Sequence, residues 1–184
     1  MDTWKNKLYG VFLLFFIGVQ TGYTQKYFTR TGITEFKASL DAFEPIEATN
    51  KITSVILNSK GEIAAQLFIS AFVFKIALMQ EHFNENYMDA DKFPKATFKG
   101  RIESFDIKSL KKNFKLRGNL NIKGITKALS TEVKIHKVNQ RTLLLSGEFM
   151  VSPNDFNIKI PSIVRNKIAD TVKIILNYEL SEKK

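Results

Sequence analysis

From Gln25 onward, apolar and polar residues alternate with a period of two through most of the chain. That is the spacing of strands with one face turned inward. In Phe114–Lys123, the residues Phe114, Leu116, Gly118, Leu120 and Ile122 share one face, while Lys115, Arg117, Asn119, Asn121 and Lys123 share the other. Arg141–Val151 repeats the pattern through Leu143, Leu145, Gly147, Phe149 and Val151. Thr171–Leu180 repeats it through Val172, Ile174, Leu176, Tyr178 and Leu180. Ile46–Leu57 and Glu62–Phe74 read as a long hairpin, with Lys60-Gly61 at the turn, where glycine accepts a positive φ. Ala96–Ile102 places Phe98 and Ile102 on one face. Val133 and Ile135 fall together in the strand after the Gly124 turn, and two short pieces surround Tyr27 and Phe36.

The connections are short, which favours an antiparallel meander over parallel crossovers. Long strands in sequence order, amphipathic on one face, predict an all-β, closed up-and-down antiparallel barrel of about eight strands. A β-sandwich is the competing architecture. Gly118, Gly147, Ala38, Ala65 and Ala71 are small residues expected to face inward and leave room for a ligand. Ile76–Met88 breaks the alternation and reads as one inserted helix covering a barrel end. Leu78, His82 and Tyr87 spread over one side of it, with Met79 and Phe83 beside them. Pro94 closes the excursion.

Residues 1–24 stand apart. Lys5 and Lys7 precede the apolar run Leu8–Val19, and Gly22 and Thr24 are small residues before Gln25. This is the layout of a signal peptide, and the run falls short of the ~20 residues that span a bilayer. The expected organisation is residues 1–24 as a signal peptide and 25–184 as one barrel domain, periplasmic or secreted after cleavage. Removing 1–24 leaves 26 Lys+Arg and 17 Asp+Glu, a net charge of +9.

Composition narrows the chemistry. Cysteine is absent, which excludes thiol catalysis, disulfides, Cys-bound metal and a lipoprotein anchor. There are two histidines, His82 and His136, and His82 with Glu85 makes a poor metal set. No G-x-S-x-G elbow and no phosphate-binding glycine pattern is present, so no enzyme activity, no metal and no cofactor are expected. Sixteen phenylalanines point to a greasy interior. The basic residues of Lys108–Lys127 (Lys108, Lys111, Lys112, Lys115, Arg117, Lys123 and Lys127) read as a solvated surface or as a face for anionic head groups. Nucleic acid is not an expected partner.

Three segments carry a family resemblance. Met79–Gly100 contains Glu81-His82-Phe83, Tyr87 and Lys92-Phe93-Pro94-Lys95-Ala96-Thr97-Phe98. Gly118–Lys127 reads GNLNIKGITK, and Gly147–Ile158 reads GEFMVSPNDFNI. In this order they resemble the YceI-like family of secreted lipid-binding proteins, and the resemblance extends over Gln25–Leu180. It departs at Ile160–Ile168, which is more basic and richer in Ile and Val than the glycine-containing family stretch. The resemblance implies a lipocalin-like barrel whose elongated apolar pocket holds a long isoprenoid, such as a polyisoprenoid or an isoprenoid quinone. Its expected role is transport, storage or sequestration, by a monomer or homodimer. A non-catalytic envelope interaction module, with a filled core and a basic docking face, is the alternative.

The expected pocket lining is Phe83, Tyr87, Phe98, Leu116, Leu120, Leu145, Phe149, Phe156 and Ile174. His82 is expected either to fix the helix by bonding barrel backbone or to contact a polar head group. The Tyr87 hydroxyl is the second candidate for a quinone or alcohol head. Asp155 reads as a turn or cap residue, and His136 as solvent-exposed. The helix Ile76–Met88 and the apolar connection Asp155–Ile168, carrying Phe156, Ile158, Ile160, Ile163 and Val164, are the expected covers of the pocket.

Overall fold

The computed structural model describes residues 25–39, 45–110, 112–162 and 168–183. The expected signal peptide, Lys111, Ile163 and Val164 lie outside the described residues. The described residues form nine strands: β1 (Lys26–Ser39), β2 (Glu47–Asn58), β3 (Glu62–Phe68), β4 (Phe72–Phe74), β5 (Lys95–Ile102), β6 (Phe114–Ile122), β7 (Ile125–Asn139), β8 (Thr142–Val151) and β9 (Ile168–Glu182). All pairings are antiparallel between neighbours, and β1 pairs with both β2 and β9. The sheet is therefore closed. β3 and β4 pair with different stretches of β2, Ser54–Leu57 and Ala48–Asn50, and act as one interrupted stave. The result is an eight-stave up-and-down barrel, the expected architecture rather than a sandwich.

Two expected elements differ in detail. The pieces around Tyr27 and Phe36 are one strand. Tyr27 and Thr29 are buried, then Arg30 and Thr31 are both exposed, and burial resumes at Gly32, Thr34, Phe36 and Ala38. A bulge has shifted the inward phase from odd to even residues, so the alternation breaks although the strand continues. β2 carries the matching irregularity, with Lys51 and Ile52 both exposed between buried Asn50 and Thr53. Asn50 fixes it from inside: its Nδ2 donates to the Phe68 carbonyl at 2.9 Å, and its Oδ1 accepts the Ile52 N–H at 2.9 Å. The second difference is in Glu62–Phe74, which a single 3₁₀ turn at Ile69–Ala71 divides into β3 and β4. The Ile69 N–H donates across to the Pro94 carbonyl at 2.9 Å, which ties the interruption to the start of β5. The turn at Lys60-Gly61 forms as expected, with Gly61 at φ +80°.

The interior is not uniform. Toward the β2–β3 turn it is solid: Leu57, Ile102, Leu143 and Leu180 are all but inaccessible and pack with Tyr27, Phe114, Val133 and Ile135. The two mid-strand glycines expected to leave space do not. A Cβ on Gly118 would lie 2.6 Å from Cζ of Phe98 and would also meet the Lys99 carbonyl oxygen across the strand. Gly118 is paired with Gly100, and the Phe98 ring covers both. A Cβ on Gly147 would lie 2.9 Å from Cγ1 of Val133. Both glycines are sites of close packing rather than empty volume. Of the alanines, Ala65 lines open space, Ala38 is packed among Phe36, Ala48 and Phe72, and Ala71 lies in the 3₁₀ turn.

Gly118→Ala is therefore expected to destabilise the fold by at least the ~1–3 kcal/mol typical of overpacking. Adding Phe98→Ala should not restore the loss, because the Lys99 carbonyl still blocks the new methyl. Gly147→Ala should be partly rescued by Val133→Ala, since there the nearest atom is a side-chain methyl. Denaturant midpoints of the four variants check this, and an unchanged midpoint for Gly118→Ala would refute the packing argument.

Candidate functional site

The other half of the barrel encloses a cavity of about 170 Å³. Its floor can be followed strand by strand. Tyr178 lines it and Leu180 does not; Leu145 does and Leu143 does not; Leu116 does and Phe114 does not; Phe98 does and Ile102 does not; Thr53 does and Val55 does not. The solid half begins one inward step below each of these residues, or two between Phe98 and Ile102, where Gly100 intervenes. Above the floor the wall is Leu120, Ile122, Leu129, Phe149 and Ile174, with Ala65 and Leu67 on β3. No Lys, Arg, His, Asp or Glu borders the cavity among the described residues.

The inserted helix covers the far end. Its α-helical part, α1 (Ala77–His82), continues as a π turn over Phe83–Tyr87. The Met88 N–H donates to the Phe83 carbonyl at 2.9 Å, an i→i+5 bond. That bond decides which side chains reach the cavity. In a regular helix, Phe83 would stack above Tyr87 at i+4. The extra residue of the π turn puts Met88 there instead, so Phe83 and Met88 line the cavity and Tyr87 does not. Phe83 is held by three other rings. Its centroid lies 5.3 Å from Phe36, 5.7 Å from Phe72 and 5.1 Å from Phe74. Such pairs add to simple burial and make the cap a packed aromatic lid. The Lys123 Nζ donates to the Tyr87 carbonyl at 2.7 Å, which fastens the π turn to the β6–β7 turn.

Of the expected lining residues, the fold brings Phe83, Phe98, Leu116, Leu120, Leu145, Phe149 and Ile174 to the cavity wall. Tyr87 is excluded by the π turn. Phe156 is buried at the end of the 3₁₀ turn Pro153–Phe156, off the wall. Asn157, left-handed at φ 52°, turns the chain so that Ile158 lines the cavity in its place. His82 does not bond barrel backbone among the described residues. It is exposed, it is not part of the wall, and no hydrogen bond from its ring occurs among the described residues. The buried helix side runs through Met79 and Phe83, which leaves His82 about 100° away and in solvent. His136 is exposed as expected.

The basic surface also differs from the strip expected along Lys108–Lys127. Arg117 pairs with Glu103 at 3.0 Å, and Lys123 is committed to the Tyr87 carbonyl. Lys108, Lys112, Lys134 and Lys137 instead gather with His136 around a groove floored by Ile107, Leu110 and Ile135. β7, returning across the β6–β7 hairpin, supplies Lys134 and Lys137 to this cluster.

One feature of the floor is not apparent from the alternation of apolar and polar residues. Thr34, Thr53 and Tyr178 are almost wholly buried there. Thr34 Oγ1 lies 2.8 Å from Thr53 Oγ1 and 2.9 Å from the Tyr178 hydroxyl. Burial pushes the Tyr178 phenol up to about 12, so it is neutral at physiological pH. Its position among Val172, Ile174, Leu176 and Leu180 was the available signal, a hydroxyl on an otherwise apolar inward face.

The segments that carried the resemblance converge on this half of the barrel. Phe83, Phe98, Leu120, Ile122, Phe149 and Ile158 come from all three of them, and all six line the cavity. The barrel is similar to a polyisoprenoid binding domain from Saccharophagus degradans implicated in plant cell wall breakdown, with a TM-score of 0.74 at 11% identity over 86% of this chain and 98% of that one. It is also similar to Burkholderia cenocepacia BcnA, with a TM-score of 0.69 at 18% identity over 81% and 96%. The Campylobacter jejuni YCEI protein gives 0.65 at 17% identity over 77% and 88%. No curated protein sequence matches the chain. The model of the YceI-like domain matches residues 19–180, and with the closed barrel it shows that the chain belongs to the YceI-like family.

Proposed function

We propose that the protein holds a long apolar lipid, of the polyisoprenoid or isoprenoid-quinone kind, in the lidded half of its barrel and performs no chemistry on it. The observation that carries this reading is the apolar cavity, bounded below by the solid half and lined at the other end by Phe83 and Met88. Each methylene moved from water into such a space contributes about 0.8 kcal/mol. A lipid of this class gains most of its affinity there without any charged contact. The polyisoprenoid-binding domain of S. degradans shares the fold, which supports the choice of ligand class.

Export with cleavage before Gln25 belongs to the same reading. β1 begins at Lys26, so the barrel starts immediately after the proposed cleavage point. The mature protein then carries lipid outside the cytoplasm, for transport, storage or sequestration. The basic groove formed by Lys108, Lys112, Lys134 and Lys137 supports transient contact with an anionic membrane surface. The same groove beside the solid half of the barrel favours, as a second reading, a docking module. The two separate on whether the cavity can be loaded.

Native mass spectrometry of gently purified protein is expected to show a co-purifying apolar mass that organic extraction removes and that reloads on adding polyprenol. A barrel that stays empty under every loading condition would favour the docking module. Phe83→Ala opens the aromatic lid and should speed lipid release by roughly tenfold, with little change in loading rate, because affinity differences within one site fall mostly on the off-rate. Phe156→Ala should instead lower stability by about 3 kcal/mol and leave release unchanged, since Phe156 is core and not wall. N-terminal sequencing of exported protein should begin at Gln25.

A further inference from the structure

The basic groove sits at the solid end of the barrel, opposite the lid. β6 begins at Phe114, which is paired with Val133, while β7 continues to Asn139. Beyond Val133 the edge of β7 therefore faces the β5–β6 connection instead of a strand. That connection turns at Asp106, whose Oδ1 accepts the Lys108 N–H at 2.9 Å, and it packs Phe105, Ile107 and Leu110 against the core. The gap between connection and strand edge is the groove. Ile107, Leu110 and Ile135 form its floor. Lys108 and Lys112 stand on one bank, and Lys134 and Lys137 on the other with His136. From Ile125 at the lid end to Lys137 in the groove, β7 runs roughly 40 Å at about 3.3 Å per residue.

The two ends differ in charge. No carboxylate lines the groove, and its four lysines are exposed and form no ion pair among the described residues. Other cations are paired: Arg117 with Glu103 at 3.0 Å, Arg101 with Glu62 at 2.9 Å and Lys75 with Glu47 at 2.8 Å. The acids nearest to the groove along the chain are engaged elsewhere. Glu103 holds Arg117, Asp106 holds the Lys108 N–H, and Glu132 lies opposite Lys115 in the β6–β7 register. The lid segment, residues 75–94, has Lys75 and Lys92 against Glu81, Glu85, Asp89 and Asp91, a net charge of −2. An anionic surface therefore attracts the groove and repels the lid. The lysines also select the kind of partner. The open edge of β7 invites an added strand, but lysines along an edge disfavour strand addition. A layer of anionic head groups needs no strand register and is attracted by each lysine separately.

We infer that the groove docks the barrel onto an anionic phospholipid bilayer with the solid end down, so that the lid is turned away from the surface that holds the protein. This deepens the membrane contact proposed above and does not depend on whether the cavity is loaded. The four lysines sit among the head groups, while the acidic lid stays in water on the far side. A bilayer docked in this way does not touch the lid. Holding the protein and exchanging lipid with it are then separate events at opposite ends of the barrel.

The test uses the chain from Gln25, whose barrel closes without residues 1–24, and vesicles of phosphatidylcholine alone or mixed with phosphatidylglycerol. Binding should require phosphatidylglycerol and be lost at high salt, which screens exposed charges. Each lysine near such a surface is worth about fivefold in partitioning, so Lys134→Gln with Lys137→Gln should weaken binding roughly 25-fold. Lys92→Gln with Lys159→Gln removes the same charge at the lid end and should change binding by less than about twofold. All four side chains are exposed, so neither pair should move the unfolding midpoint. The chain has no cysteine, so Ser109→Cys beside the groove and Leu78→Cys on the lid each accept a single fluorophore. A quencher carried by the lipid head groups should quench the label at 109 and not the one at 78. Equal binding to both vesicles, or wild-type binding by the Lys134 and Lys137 double variant, would overturn the docking face. Quenching at 78 instead of 109 would overturn the orientation. Failure to bind vesicles, beside polyglutamate binding that the same double variant loses, would give the groove to an acidic protein and likewise overturn the inference. Cavity loading, read separately by native mass spectrometry, decides the lipid reading on its own.

Discussion

Closing a strongly curved antiparallel sheet requires one strand to satisfy partners on both edges, and here β1 does so. It pairs with β2 along one edge and β9 along the other, and both registers slip near Gly32. An uninterrupted register would keep one inward phase along the whole strand. The slip changes phase in the middle, so Tyr27 and Thr29 face the interior in one half and Thr34, Phe36 and Ala38 in the other. Closure thus places a bulged strand, a glycine and buried threonines at one level of the barrel. Asn50 pins the opposing bulge in β2 by two backbone bonds. The floor of the cavity is at that level because closure is accommodated there.

The division of the interior follows from side-chain volume. Leu57, Ile102, Leu143 and Leu180 meet Tyr27 and Phe114 and leave nothing open. Above Tyr178 the inward residues become Leu176, Ile174 and Val172 on one side and Ala65 and Ala96 on the other, and they cannot meet across the barrel. A cavity of about 170 Å³ deprives its lining side chains of the contacts that a filled core would give them. A filled barrel would be more stable. The lid does not fill the void: Phe83 is spent on Phe36, Phe72 and Phe74, which anchor the helix rather than plug the lumen. Keeping volume at the expense of stability is the arrangement expected where a ligand supplies the missing contacts.

The alternation made the staves legible because one face of every strand is buried, and Gly61 marked its turn because the backbone there needs a positive φ. What the alternation hid has a common cause, a local change of phase. The bulge at Arg30-Thr31 made β1 read as two fragments. The 3₁₀ turn at Ile69–Ala71 broke a long strand without interrupting its apolar character. The π turn moved Phe83's partner from Tyr87 to Met88. Each displaces side chains by one residue and leaves composition untouched, so periodicity counted over a window cannot see it. The glycines were misread for another reason. A missing side chain signals space only if no neighbour fills it, and the Phe98 ring over Gly100 and Gly118 is a cross-strand fact. Most wall residues were legible because inward phase and an apolar side chain suffice to identify them. The hydroxyl cluster was not, because its members are 144 and 19 residues apart in pairs and only closure brings them together.

The two ends of the cavity differ in construction along the barrel axis. From Tyr178 to Val172 the cavity wall spans seven residues of β9, roughly 20 Å for six steps of about 3.3 Å. At one end Thr34, Thr53 and Tyr178 are bonded to one another within the closed sheet. At the other stand the aromatic lid and Ile158. The ends also differ in mobility. The floor is built into paired strands whose opening would break the barrel, whereas the lid is a short helix and π turn fixed by ring contacts and one Lys123 bond. Opening at the lid therefore disrupts less of the fold than opening at the floor, and on the proposed lipid-binding reading the lid is the route for loading and release.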